Sequence, residues 1–415
     1  MLYMRDLFTV VASFGGLYFL VTNRQFDYFS LAFFSALVYF LPGFFGSTSY
    51  HIAGVWSDTL IHPEAYLIMV FVLLSIWLFA FVTSYLPKVL KVKIALPTES
   101  GVSMLLLIST AVGFAALLAS SGGILLQPEK AMVMESLGRW HILFYTAATI
   151  GLPVAFHRRE YLLVGLFLAF LGFDLFVGFR SALAISIISA SLVLLYSKGK
   201  QRLLFSNWKI VILLLAFGVF IFGYKMFAFA VKAGLWDVVW SQLQESDTYL
   251  FVITHSEPFV VQQTLNEVIT NRFHTNADHI YSSLYQILLF SPELGVEKIT
   301  FNSLFQPALF SDVEYGLAAN IWAQMWSAGG WPLVIFFTLI FNVVLAIGNI
   351  TLHARSMVLK AGLAPAFCYW AFYIHRNDLG YALNLEKRHL LLLLFVIVIA
   401  SVIKLATRPL LMSSK

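Results

Sequence analysis

The sequence contains a single cysteine, Cys368, and few charged residues. One cysteine excludes a disulfide framework and any metal site built from several cysteines. Charged side chains make up only 11% of the chain and hydrophobic residues 60%, and the mean hydropathy is +0.84. A soluble protein of this length cannot bury so much apolar surface, so we expect a membrane protein.

Several functional motifs are also missing. The sequence has no Walker A motif, no GxGxxG after a strand, no GxSxG, no HExxH and no haem signature. His274 and Asp278 have a helical i, i+4 spacing, but no further ligand accompanies them. Acidic residues are nearly absent from the apolar segments apart from Asp174, which disfavours an ion-coupled transporter. We therefore expect no metal and no cofactor.

Eleven apolar segments approach the roughly 20 residues that cross a bilayer. We find no internal repeat or linker between them. The sequence therefore predicts an all-α polytopic membrane protein of about 11 transmembrane helices (range 10–12), with one transmembrane domain over residues 1–415. The segments are 7–22, 27–46, 65–86, 101–120, 140–156, 161–179, 181–197, 209–229, 330–350, 358–374 and 389–407.

Lysine and arginine indicate the orientation, because they are enriched in cytoplasmic segments. With alternating crossings and a cytoplasmic C-terminus, the predicted cytoplasmic segments hold 15 of the 26 basic residues and 3 of the 21 acidic residues. This split supports the orientation and explains the basic pI of about 9.1 without nucleic acid. It places the N-terminus and the one large loop, residues 233–320, on the outer side.

The large loop concentrates titratable groups. It holds ten carboxylates and three histidines, but its only basic residues are Arg272 and Lys298. A polytopic protein that gathers such groups in one loop is expected to use that loop. Its helix signals indicate short helices packed on the outer end of the bundle, not a separate soluble domain.

Capping patterns predict three helices in the loop. Ser256 and Pro258 begin the first, whose apolar face is Val261, Leu265 and Val268. Asn276 begins the second, with an apolar face of Ile280, Leu284 and Leu288. Asp312 begins the third, which carries Gly316, Asn320 and Gln324 and ends at Gly329-Gly330.

Arg180 lies where two apolar segments meet without a hydrophilic turn. A charge at such a position is costly unless it faces protein, water or a bound anion. A guanidinium at the outer interface can bind phosphate through two hydrogen bonds. We expect Arg180 to bind an anion; the alternatives are that it extends to the lipid headgroups or pairs with Asp174.

Two further groups of polar residues face the predicted outer side. Arg376 follows the apolar run 367–374, and two arginines in one compartment suit a diphosphate; the alternative is a solvated loop. A histidine or carboxylate of the large loop can act as general base on a hydroxyl, or else belong to a polar surface. The densest cluster there is Arg272, His274, Asp278 and His279.

Three stretches resemble the Wzy-type O-antigen polymerases, which join oligosaccharide repeat units. Phe176-Val-Gly-Phe-Arg180-Ser-Ala-Leu is similar to the family's arginine segment, and Phe372-Tyr-Ile-His-Arg376-Asn-Asp to its C-terminal arginine. The third stretch runs from FNSLFQP at 301–307 to EYGLAANIWAQMWSAGG at 314–330. The resemblance covers roughly residues 165–390. Arg272 departs from the arginine–glycine spacing of some members, because Ser283 occupies the glycine position.

The resemblance implies a glycosyltransferase C-like enzyme of the bacterial inner membrane, with its active site facing the periplasm. It implies transfer of the growing glycan from undecaprenyl diphosphate to a hydroxyl of the next lipid-linked unit. The implied partners are the undecaprenyl-diphosphate-linked oligosaccharide, membrane lipids, a chain-length regulator and a flippase.

The resemblance also implies roles for individual residues. Arg180 and Arg376, assisted by Arg272, would bind the diphosphate. The base would be one of four loop residues, with Asp278 preferred over His274, His279 and Glu314. The residues expected to contact sugar are Tyr281, Tyr315, Asn320 and Trp322.

Three other functions remain open. An O-antigen ligase shares the large late loop, although His255-Ser-Glu-Pro-Phe lacks the glycine of the His-Ser-x-x-Gly-like run of ligases. A transporter such as a flippase would carry charged residues deep within several spans. A membrane scaffold would tolerate point changes in the loop.

Overall fold

The computed structural model describes residues 2–52, 55–85, 99, 101–127, 130–245, 253–254, 256–288, 299–313 and 316–412. It is predominantly helical. In chain order the helices are α1 (Leu2–Val21), α2 (Tyr28–Tyr39), α3 (Pro42–Phe45), α4 (Pro63–Tyr85), α5 (Val102–Ser121), α6 (Lys130–Ser136), α7 (Arg139–His157), α8 (Tyr161–Val177), α9 (Ser181–Ser197), α10 (Leu203–Ser206), α11 (Trp208–Lys232), α12 (Trp236–Gln244), α13 (Glu257–Thr270), α14 (Asp278–Tyr285), α15 (Phe301–Leu309), α16 (Ile321–Thr351), α17 (Met357–Cys368) and α18 (Leu379–Met412).

Each of the eleven predicted apolar segments overlaps one of these helices. Within the part of the chain that the structure describes, six helical segments are long and apolar enough to cross a membrane, which indicates a helical multi-pass membrane protein. The number of eleven crossings stays a prediction. The six are Tyr3–Val21, Pro63–Ser84, Val102–Leu126, Ile321–Thr351, Met357–Arg376 and Leu379–Thr407.

Large apolar side chains cover the outward faces of several long helices. Val219 is 74% exposed, Leu213 68% and Phe395 60%. Contiguous apolar surface of this kind is unfavourable in water and favourable in lipid. The exposed faces therefore agree with a membrane environment.

Small residues allow the helices to approach closely. A Cβ added to Gly113 of α5 would lie 2.7 Å from the backbone nitrogen of Phe144 in α7. The hydrophobic effect does not drive helices together in lipid, so close backbone packing of this kind contributes to helix association. Helix α7 also packs against α8, α9 and α17, which brings the ends of those helices together.

The described residues are consistent with the all-α prediction, and they include one short antiparallel hairpin. Strands β1 (Ser47–Ile52) and β2 (Val55–Leu60) pair as an antiparallel hairpin between α3 and α4. The second predicted span extends to residue 46, whereas α2 ends at Tyr39. The hairpin also supports the large loop, because its residues bond to α13.

Helix α13 lies where the first loop helix was predicted, which confirms that prediction, and it is buried on two faces. Val261, Leu265 and Val268 are fully buried in the main core. On the other face, Oε1 of Gln263 accepts a hydrogen bond of 2.6 Å from the Thr59 hydroxyl, and Nδ2 of Asn266 donates one of 3.1 Å to the Leu60 carbonyl. The helix is thus fixed between the bundle and the hairpin.

The other two predicted loop helices need correction. Helix α14 buries its polar side, with Ser283 3.1 Å from a Cβ added to Gly380, while Leu284 is 47% exposed. Its apolar side therefore faces outward, as in helices that lie at a membrane surface. The third helix begins at Ile321, not at Asp312, because Asn320 caps it; a break at Gly330 (φ 59°) agrees with the predicted end.

Residues 375–388 are largely helical, which differs from the alternative of a solvated loop at Arg376. Helix α18 begins at Leu379 and includes Glu386, Lys387 and Arg388. Asp378 accepts a hydrogen bond of 2.6 Å from the backbone N–H of Tyr381, which explains why the helix starts there.

Candidate functional site

The end of α8 positions Arg180. Gly178 has φ 114°, a conformation that favours glycine, and its N–H bonds to the carbonyls of Asp174 and Leu175. The chain turns there, and Arg180 precedes the first residue of α9. The turn contains no hydrophilic loop, as the sequence predicts.

Arg376 lies in a short helical turn that follows α17 through a π-helical segment, Tyr369–Tyr373. Three hydrogen bonds fix this turn to the rest of the protein. Nε1 of Trp322 donates to Nδ1 of His375 at 3.0 Å, and the N–H of Leu379 donates to Oε1 of Gln324 at 2.9 Å. A carboxylate oxygen of Asp378 accepts from the N–H of Phe301 at 3.3 Å. The position of Arg376 therefore depends on α15 and α16.

Arg180 and Arg376 meet at Glu257, the first residue of α13. Nη2 of Arg180 donates to Oε2 of Glu257, and Nη1 of Arg376 forms an ion pair with Oε1. The Glu257 side chain is 5% exposed, that of Arg180 13% and that of Arg376 26%. Two guanidinium groups from separate span ends thus converge on one anion contributed by the loop.

Among the described residues, this cluster joins two cations to one anion. Two guanidinium groups face one carboxylate, and Nε of Arg376 is buried without a hydrogen-bond partner among the described residues. The cluster therefore has donor capacity left for an anion.

Aromatic side chains surround the cluster. The guanidinium carbon of Arg376 lies 5.2 Å from the ring centroid of Tyr373. Tyr39 and Tyr381 also lie close enough to Arg376 to interact with it electrostatically. Ring faces beside a cation provide the type of surface on which a sugar or a phosphate ester can pack.

Arg272 lies far from this cluster. It follows the C-terminus of α13 and is exposed, with φ 50°, whereas Glu257 begins the same helix. At a rise of 1.5 Å per residue, the two positions are roughly 20 Å apart along the helix. One diphosphate cannot contact Arg272 and the other two arginines together in this structure.

The four candidates for the base lie in different environments. His274 and Asp278 are exposed, and Asp278 accepts a hydrogen bond of 2.5 Å from Asn276. His279 is fully buried, its Nδ1 lies 2.8 Å from the Asn276 carbonyl, and burial lowers its pKa below the usual range. Glu314 lies outside the described residues. Their catalytic roles stay predictions.

The residues expected to contact sugar differ in their exposure to solvent. Tyr281 is 59% exposed, and Tyr315 lies outside the described residues. Asn320 and Trp322 are fully buried, so neither presents a face that a sugar can reach. Asn320 caps α16 and donates to the Val261 carbonyl at 3.0 Å. In this structure both residues join α13, α16 and the Arg376 turn.

Two groups were missed by the sequence-based predictions. Glu257 lies between Ser256 and Pro258, which begin the first predicted loop helix, and no role in binding was predicted for it. Asp174 was considered as a partner of Arg180; its Oδ1 lies 2.8 Å from Nε2 of His141, a contact that was not predicted, and His141 and Asp174 are both buried. No local sequence pattern connects His141 with Asp174.

Among the described residues, no three His, Cys, Asp or Glu side chains are grouped to hold a metal ion. An open cleft beside α15, lined by Asn302, Ser303, Gln306 and Phe310, includes none of the site arginines. Comparisons with protein-family models, curated proteins and solved structures found no match to this chain.

Proposed function

We propose that this protein is a polysaccharide polymerase that uses a polyprenyl-diphosphate-linked donor. It transfers the growing glycan from undecaprenyl diphosphate to a hydroxyl of the next lipid-linked repeat unit. The observation that carries the proposal is the convergence of Arg180 and Arg376 on one carboxylate, Glu257.

The chemistry requires a cationic site. When the bond from the anomeric carbon to the diphosphate oxygen breaks, negative charge develops on the leaving diphosphate. Guanidinium groups stabilise such charge through short, charge-assisted hydrogen bonds. In this proposal Arg180 and Arg376 bind the diphosphate, and Glu257 occupies part of its position in the empty protein.

A carboxylate is a weaker anionic ligand than a diphosphate, because it has one charge and two oxygens. Diphosphate can therefore displace Glu257 or bind beside it, using the unpaired Nε of Arg376. The tyrosines around Arg376 would pack against the first sugar or the lipid phosphate.

The proposal includes the setting of the reaction. The protein would be a glycosyltransferase C-like enzyme of the inner membrane, with the cluster and the 233–320 loop at the periplasmic face. Its lipid-linked substrate would enter from the surrounding bilayer, and a flippase and a chain-length regulator would act with it.

The test is polymerisation by the purified full-length protein, supplied with undecaprenyl-diphosphate-linked repeat units in EDTA, with chain length read on a gel. Arg180→Ala and Arg376→Ala are each expected to lose polymer by about 100-fold or more. Arg272→Ala, a loop arginine outside the cluster, is the matched control and is expected to keep activity.

Full-length polymer from either cluster variant, at a normal amount of folded protein, would contradict the assigned role. Activity lost in EDTA and restored by a divalent ion would contradict the assignment of the charge stabilisation to arginine. Transfer only to a lipid A core acceptor would identify a ligase, and movement of the lipid-linked unit without new bonds would identify a transporter.

A further inference from the structure

A buried histidine–aspartate pair lies near Arg180. Nε2 of His141 is 2.8 Å from Oδ1 of Asp174, and the two residues are 8% and 2% exposed. A carboxylate that accepts from one ring nitrogen fixes the tautomer of a neutral imidazole. The other nitrogen, Nδ1 of His141, is then the atom that can accept a proton.

One tight turn connects the pair to Arg180. The carbonyl of Asp174 accepts hydrogen bonds from the N–H groups of Gly178, at 3.2 Å, and Phe179, at 2.9 Å. The ring centroid of Phe179 is 4.9 Å from that of His141, and Arg180 is the next residue. His141 therefore contacts the residue that immediately precedes Arg180.

A second set of contacts connects the pair to Arg376. Tyr145 lies one helical turn beyond His141, with ring centroids 5.2 Å apart, and its hydroxyl accepts a hydrogen bond of 3.2 Å from Arg388. Tyr381 lies near Tyr145, Arg376 and Arg388. Tyr145 and Tyr381 thus connect the surroundings of His141 with those of Arg376.

The two loop histidines that the structure describes, His274 and His279, lack this arrangement. His274 is exposed, and His279 is fully enclosed with Nδ1 bonded to a backbone carbonyl. Among the described residues, His141 is the histidine that combines a bound carboxylate with a position next to a site arginine.

We propose that His141 is the general base of the glycosyl transfer and that Asp174 is its positioning residue; this inference rests on the proposed function. Nδ1 of His141 accepts the proton of the acceptor hydroxyl as that oxygen attacks the anomeric carbon. The carbon–oxygen bond to the diphosphate breaks, and the diphosphate leaves with the bonding electrons. The proton passes from His141 to the departing diphosphate or to water, so no further reactant is required.

Asp174→Asn is the most informative variant. The side chains have nearly the same shape, but the amide can donate a hydrogen bond to Nε2, which moves the imidazole proton to Nδ1 and removes the acceptor. Loss of an aspartate in a comparable pair costs about 10⁴-fold in kcat with the geometry intact. We expect kcat of Asp174→Asn and His141→Gln to fall about 10²- to 10⁴-fold.

The experiment measures kcat and KM for the acceptor unit, together with the affinity of each full-length variant for farnesyl diphosphate. The inference predicts a loss in kcat with KM and diphosphate affinity within about twofold of wild type. His157→Gln is the matched control, because His157 lies at the other end of α7 and bonds to a backbone carbonyl. Its kcat is expected to stay unchanged.

Two results would overturn the inference. In the first, kcat of His141→Gln stays within a few fold of wild type. In the second, kcat, KM, diphosphate affinity and thermal stability all fall together, as for a purely structural pair. Either result leaves the proposed function standing if activity and diphosphate binding still depend on Arg180 and Arg376.

Discussion

Arg180 and Arg376 bind the two oxygens of one carboxylate, although they belong to different helix ends and Glu257 belongs to the large loop. The loop contributes an anion to this site, and the span ends contribute the cations. The site therefore exists only where loop and bundle meet. The following predictions test the parts of this arrangement.

Glu257→Gln is expected to lower the thermal stability of the protein in detergent, because two largely buried guanidinium groups lose their counter-charge. The loss is on the order of 2 kcal/mol, below that of a fully buried pair, because Arg376 is 26% exposed. Farnesyl diphosphate should then raise the melting temperature of this variant more than that of wild type, since it supplies the missing negative charge.

Glu267→Gln is the matched control for that experiment. Glu267 lies on the same helix and accepts hydrogen bonds from the side chains of Gln263 and Asn271. An equal diphosphate-induced shift in wild type and in both variants would argue against competition between Glu257 and diphosphate.

His279 predicts a pH dependence of stability. Burial lowers its pKa from 6.5, so the folded protein binds a proton there less readily than the unfolded chain. The contribution of neutral His279 is present in full above pH 6.5 and is lost as the pH falls below it. We expect His279→Gln to reduce the fall in melting temperature between about pH 6.5 and about pH 5.

His274→Gln is the control, because it removes an imidazole that is exposed to solvent and leaves the buried His279 in place. The prediction fails if the two variants and wild type show the same dependence of melting temperature on pH.

Asn320→Ala is expected to reduce both stability and activity. It removes the cap of α16, which contributes about 1 kcal/mol, and leaves the Val261 carbonyl without its bond. Activity should fall because α16 also holds the Arg376 turn through Trp322. Melting curves and the polymerisation assay measure the two effects.

Ser356→Ala is a comparable cap removal at the end of α17 that is remote from Arg376, where Ser356 accepts from the N–H of Leu359 at 3.2 Å. It should cost stability with little change in activity. Equal activity of the two variants would mean that the hydrogen bonds of Asn320 to α16 and α13 do not position Arg376.

The predicted orientation can be tested by cysteine labelling, because the one native cysteine, Cys368, is fully buried. A membrane-impermeant maleimide should label Tyr281→Cys in intact cells with a permeabilised outer membrane. It should not label Lys200→Cys until the inner membrane is disrupted. The reverse pattern would place the large loop in the cytoplasm.

Sequence reasoning predicted the two arginines but not their partner. Arg180 and Arg376 are identifiable because a charge beside a long apolar run is costly and so requires a reason. Glu257 is one of ten loop carboxylates, and its contact with both arginines depends on how α13 is fixed between the bundle and the hairpin. That arrangement is tertiary and has no local signature.

Tertiary contacts also explain the other differences between the predictions and the structure. The apolar pattern of α14 predicted its buried face by the rule for soluble proteins, but this helix buries Ser283 against Gly380 and exposes Leu284. Asn320 and Trp322 were expected to contact sugar on the basis of the family resemblance. Their hydrogen bonds show that they join helices instead.

The most direct test of the central claim is the affinity of the purified full-length protein for farnesyl diphosphate, measured by titration calorimetry. The account predicts that Arg180→Gln and Arg376→Gln each weaken binding by about 10-fold or more, because each removes a charged hydrogen-bond donor. Arg272→Gln should bind like wild type. Wild-type affinity in both cluster variants would contradict the assignment of these two arginines to the diphosphate.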